Sequence, residues 1–236
     1  VPDAYTFEFV ERSAADRAEM EAPYGICSGW SVTGGREGVP QLSMSFFARK
    51  TVDSTYTNGL AIATQLYSAN LRWGVHVDES WSGIGGTQIS AQVLGFTSQF
   101  SNFLRPAWYL DNRSDLDFTQ YEFGGAGGRI LDLSVDLVHD PASARFVQTE
   151  EAKKSEGTKR FVRVNILGAA FAAPDAGITR RVTIDMPCYH ADDSMEERGQ
   201  DQDGNLVVRA HFVSAHDATG ALDMQVEVVN SLTAFP

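Results

Sequence analysis

The chain has 236 residues and a formal charge of −12, from 31 acids against 19 bases. That balance opposes the attraction to phosphates that supplies most non-specific nucleic-acid affinity, and it argues against a protein whose task is to grip DNA. With 43% hydrophobic and 21% charged residues the composition is that of a globular chain, and no apolar run approaches the ~18 residues of a membrane-spanning helix.

A chain this long can bury a core without disulfides or metals. Its two cysteines, Cys27 and Cys188, are far apart and in no Cys-x-x-Cys pair, so neither a disulfide framework nor a zinc site is expected. Two inert thiols in a reducing cytoplasm are the expectation, which leaves the Asn112-Arg113-Ser114 sequon without meaning. The start, Val1-Pro2-Asp3-Ala4, has neither the basic end nor the apolar stretch of a secretory signal. It also lacks an initiator Met, which reads as processing, trimming or an incompletely represented start.

In chain order, the first strand signal is Tyr5, Phe7 and Phe9 alternating with Thr6 and Glu8, the period-2 signature of a half-buried strand. A weak helix candidate runs from Ser13 to Glu21 and is stopped by Pro23. Leu42, Met44 and Phe46 then alternate with Gln41, Ser43 and Ser45, while Thr55 to Ala69 is open between loop and short helix. Leu71, Trp73, Val75 and Val77 form the next apolar row, and Leu131, Leu133, Val135 and Leu137 face away from Asp132, Ser134 and Asp136. One helix follows, with Asp140 as N-cap, Pro141 at its first position and Gly157 beyond its end. Glu150 and Lys154 give it i, i+4 support of a few tenths of a kcal/mol at most. Ile178, Val182, Ile184 and Met186 mark another strand. Leu206 to Val213 and Leu222 to Val229 read as a long terminal hairpin around a polar segment.

Glycine clusters at 34–35, 83–86 and 124–128 mark turns between strands, so the layout predicted is antiparallel meanders and not βαβ units. No composition break demands a second domain. The expectation is one domain over 1–236, with an N-terminal arm and first strands in 1–52 and core sheets and helix in 70–236.

Motifs that would carry chemistry are weak. Gly124-Gly125-Ala126-Gly127-Gly128-Arg129 lacks the Lys-Ser or Lys-Thr of a phosphate cradle and runs into a strand. Asp201-Gln202-Asp203-Gly204-Asn205 opens like a calcium loop, but position twelve is His211-Phe212 territory, so a turn is expected. Cys188, His190, Asp192 and Asp193 match no metal-site spacing. The five histidines, at 76, 139, 190, 211 and 216, are scattered, and no Gly-x-Ser-x-Gly elbow selects a nucleophile. A carboxylate pair for glycoside hydrolysis is defined by distance, not by sequence. Trp30, Trp73, Trp81 and Trp108 read as core or interface packing, with a sugar-stacking platform on a β-sandwich as the alternative. The residues therefore predict no enzyme: no catalytic, cofactor-binding or metal-ligating residue is assigned, and no cofactor.

The order of elements in the C-terminal two thirds resembles the tail tube (major tail) proteins of long-tailed bacteriophages. The matching stretches are Leu71 to Val77 with its Gly-rich turn, the Phe-rich region Gly95 to Pro106, the strand at Arg129 to Val138, and the interrupting helix. They continue through Arg160 to Gly168, Ile178 to Met186, the Asp203-Gly204-Asn205 turn and Met224 to Asn230. Tyr24 to Lys50 is similar in style. The likeness is one of pattern over about three quarters of the chain. It implies a mainly β fold of two packed antiparallel β-sheets, sandwich- or barrel-like, with one flanking α-helix and long loops. It implies six subunits per ring and rings stacked into a hollow tube that conducts DNA during ejection without binding it specifically. The protein would then lie in the virion tail after assembly in the host cytoplasm, away from membranes. Its partners would be copies of itself and other tail proteins such as the tape measure, terminator and distal tail proteins. An acidic channel wall would repel DNA, with Asp132, Asp136 and Glu227 as candidate wall residues. The alternative outside that resemblance is a carbohydrate-binding β-sandwich module.

Overall fold

A computed structural model describes residues 5–12, 17–36, 38–53, 73–89, 93–107, 120–123, 129–171, 177–201 and 203–229. The fold is mainly β with a single helix among the described residues, as the alternation predicts, and it divides into two compact units. The strands are β1 (Tyr5–Arg12), β2 (Arg17–Gly35), β3 (Gln41–Phe47), β4 (Val52–Asp53), β5 (Trp73–Asp78), β6 (Val93–Ser101) and β7 (Leu104–Ala107). They continue with β8 (Gln120–Phe123), β9 (Ile130–Val138), β10 (Arg160–Ala170), β11 (Thr179–His190), β12 (Glu196–Gln200), β13 (Leu206–Ser214) and β14 (Gln225–Val229). The helix α1 spans Pro141–Ser155.

The smaller unit takes residues 1–30, 43–65 and 101–129. Here β1 pairs antiparallel with β2, from Arg12↔Arg17 to Tyr5↔Gly25. This overturns the helix expected from Ser13 to Glu21, because its described residues 17–21 are strand. Ala, Glu and Met favour helix locally, but Ala18, Met20 and Ala22 also alternate with Arg17, Glu19 and Glu21, and pairing partners decide between two such patterns. Ile26, Ala22, Leu104 and Ala107 are buried, Phe7 meets Phe46 edge-on at 4.8 Å, and β7 pairs with β8.

The larger unit takes residues 31–42, 66–100 and 130–236. Its strands follow the hydrogen-bonded order β6, β9, β13, β11, β10, β5, with β12 added to β13 and β14 to β11. The registers put Leu133, Val135 and Leu137 against Phe212, Ala210 and Val208, and all six are at most 2% exposed. Val162 and Val164 sit between Val77 and Val75 on one side and Met186 and Ile184 on the other. These residues form one continuous apolar face, and the intervening positions form a polar one.

The terminal hairpin is not formed. β13 runs antiparallel to the end of β11, from Cys188↔Ser214 to His190↔Phe212. β14 then continues in the same direction along the same edge, from Asp185↔Gln225 to Arg181↔Val229. The two are halves of one interrupted strand, and residues 215–224 are an excursion from it. The excursion stays beside the sheet through the Ala215 N–H donated to the Pro187 carbonyl, 2.8 Å, and it closes on itself by a bridge between Asp217 and Leu222. A hairpin and an interrupted strand carry the same alternation, so only the partner tells them apart.

Candidate functional site

Helix α1 starts as its sequence predicts. The Asp140 carboxylate accepts the Ser143 N–H at 2.7 Å, and the Ser143 hydroxyl accepts the Asp140 N–H at 2.9 Å, a reciprocal cap that satisfies two otherwise orphaned donors. Its inward stripe is Ser143, Val147 and Glu150, all buried, at the i, i+4, i+7 spacing of one helix face. Glu150 therefore does not form the exposed pair with Lys154 that the spacing suggests. Its carboxylate accepts from Arg160 at 2.8 and 3.1 Å and lies 3.0 Å from His190 Nε2. Lys154 instead donates to the carbonyls of Asp192 and Ser194.

The polar chain continues from His190. Its Nδ1 lies 2.9 Å from Ser194 Oγ, which accepts the His211 N–H at 2.9 Å, and its ring rests 4.7 Å from that of Phe212. Ser194, His190 and Glu150 thus line up in the order of a nucleophile, a base and an orienting acid. Ser194 is 2% exposed and its oxygen already serves a backbone donor. Glu150 is neutralised by Arg160, beside a Cys188 thiol that donates to the Arg160 carbonyl and whose pKa burial pushes upward. Such an arrangement fastens helix to sheet, because every buried polar group in it finds a partner. Of the Cys188, His190, Asp192 and Asp193 cluster, Asp193 turns away to bond His211 Nδ1 and Arg198. No group of three or more potential metal ligands exists among the described residues.

The polar face of the same unit is laced with ion pairs. Arg163 and Asp185 are bidentate at 2.6 and 2.7 Å, as are Arg209 and Asp136 at 2.7 and 3.0 Å, and Arg181 donates to Glu227 at 2.9 Å. Two of the three candidate wall acids, Asp136 and Glu227, thus carry their own counter-ions. Asp132, 3.7 Å from His211 Nε2, is the least compensated. A depression of 290 Å³ lies beside Arg209 and Asp136, bordered by Gly34, Gly95, Thr97 and Ser134. A side chain at Gly34 would collide with the Phe96 ring, and one at Gly95 would meet the Gly34 carbonyl at 3.0 Å.

Of the four tryptophans, Trp30, Trp73 and Trp81 are half-buried; Trp73 tilts on Phe96 at 5.0 Å and Trp81 meets Phe161 edge-on at 6.2 Å. Trp108, the glycines at 124–128, the Thr55 to Ala69 segment and the sequon lie outside the described residues. Asp201 behaves as a turn residue, its carboxylate accepting the N–H groups of Asp203 and Asn205, with Gly204 at φ +82°. Asp203 pairs with Arg36 at 2.8 Å.

What stands out is apolar surface in strand form. Every residue of β3 from Gln41 to Phe46 is exposed, with Leu42 at 62% and Met44 at 48%. In β14 all but the last residue are exposed, with Val226 and Val228 at 43% and 56%. Among the described residues β3 pairs only with β2 and β14 only with β11. The alternation of β3 was legible in the sequence; its exposure was not, because alternation tells that two faces differ and not what covers the apolar one. No helix among the described residues is long and apolar enough to cross a membrane.

No protein-family model matches the chain, and no curated protein matches it in sequence.

Proposed function

We propose that the chain is a structural subunit whose function lies in its interfaces: a tail tube protein of a long-tailed bacteriophage, forming hexameric rings that stack into a tube for DNA. The observation that carries the reading is the pair of strands β3 and β14, in which residues 41–45 and 225–228 are exposed on both faces and apolar at alternate positions. Long exposed edge strands template uncontrolled association, so natural proteins either blunt them or use them. Charge and proline, two of the devices that blunt an edge, are sparse in both. β3 has no charge and no proline, and β14 has the single Glu227, held by Arg181. Leu42, Met44, Val226 and Val228 keep about half of their surface in solvent, and covering that remainder with a neighbour would contribute on the order of 1 kcal/mol each. Head-to-tail contacts between copies close into rings when the rotation allows.

The phage assignment draws its support from the mainly β fold with one helix, the order of elements, and the acidity of the chain. Its further terms, the virion tail as location, the tape measure, terminator and distal tail proteins as partners, and the absence of catalysis, are part of the same proposal. Electron microscopy of the purified protein tests it: rings or tubes are the expected result, and a strict monomer at high concentration contradicts it.

A further inference from the structure

We propose that β3 of one copy adds as a strand to the outer edge of β14 in a second copy. The inference rests on the assembly reading above and names the contact that would make the assembly. An interface between two chains of charge −12 needs surfaces that do not add to the repulsion, and these two qualify. The seven residues of β3 are uncharged, and the Glu227 charge of β14 is matched by Arg181 at 2.9 Å.

The side-chain patterns also agree. In β14 the apolar Val226 and Val228 alternate with Gln225 and Glu227, and in β3 Leu42 and Met44 alternate with Gln41, Ser43 and Ser45. An antiparallel pairing in phase sets Glu227 opposite Ser43 or Ser45 and extends the Val226 and Val228 row with Leu42 and Met44. Main-chain hydrogen bonds then supply the attachment and the alternate side chains the register. Pairing of β14 with its own copy about Glu227 is disfavoured, because it places two carboxylates directly opposite each other. Two different strands therefore meet, which makes the contact heterologous and able to propagate around a ring.

Mixed single-cysteine proteins test this. In a Cys27→Ser background, Ser43→Cys or Ser45→Cys is mixed with Glu227→Cys under assembly conditions and oxidised, so that a disulfide between the two strands forms only between copies. At least about tenfold more crosslinked dimer is expected than from Met44→Cys mixed with Glu227→Cys, whose side chains lie on opposite faces and cannot reach disulfide geometry. Val228→Lys, at a position already exposed, should abolish assembly and leave the circular dichroism spectrum unchanged. Rings or tubes that form with crosslinking at the control level overturn the strand pairing while the assembly reading stands. Equal crosslinking of Ser45→Cys with itself overturns it in favour of β3 self-pairing. Loss of all assembly in the unmodified protein removes both.

Discussion

Glu150 is the residue on which helix and sheet depend most. It is 1% exposed and shares its carboxylate between Arg160 and His190. Removing one partner of a buried ion pair leaves the other charge uncompensated and costs about 3–5 kcal/mol. Glu150→Ala should lower unfolding stability by about that amount in urea titration, and Glu150→Ala with Arg160→Met should recover part of it. Cys188 makes a second residue-scale prediction. Burial raises its thiol pKa first of all, with the Glu150 charge adding to the effect, and the nucleophile is the thiolate. Thiol titration of the native protein should therefore leave Cys188 unmodified until the chain is unfolded. His76 supplies the pH dependence: burial, with Arg163 assisting, lowers its pKa below the ordinary value. The folded state then binds this proton less readily than the unfolded chain. The stabilising contribution is complete above the unfolded pKa of about 6.5 and is lost as pH falls through the folded value. Between pH 7 and 5, His76→Gln should flatten the decline in stability measured by denaturant unfolding.

At the scale of elements, legibility followed the range of the forces involved. Helix α1 was readable because Asp140, Pro141 and Gly157 act within a turn of where they stand. Replacing Asp140 by Ala should cost about 1 kcal/mol of unfolding stability, the ordinary value of an N-cap. The apolar row of β9 was readable as well, since Leu131 to Leu137 alternate without interruption. The fate of β13 and β14 was not, because hairpin and interrupted strand differ only in whether β14 turns back on β13 or passes along β11. Residues 17–21 failed as a helix for the same reason: β1, elsewhere in the chain, outweighs local propensity. The buried stripe of α1 was hidden too, since Ser143 and Glu150 do not look like core residues until Arg160 and His190 are placed beside them.

For the whole molecule, composition predicted a globular chain able to bury a core without disulfides and the alternation predicted a mainly β one, and the burial of Val135, Leu137, Val162 and Phe212 on their strands is in keeping with both. It did not tell that strands β3 and β14 keep apolar residues in solvent, and this surface is what the assembly reading rests on. The acids offered for a channel wall carry less of it than their count suggests, because Asp136 and Glu227 are each paired with an arginine. The central claim is that the chain works by joining copies of itself. Electron microscopy of the purified protein at high concentration tests it most directly: closed rings or stacked tubes are predicted, and a field of monomers would contradict it.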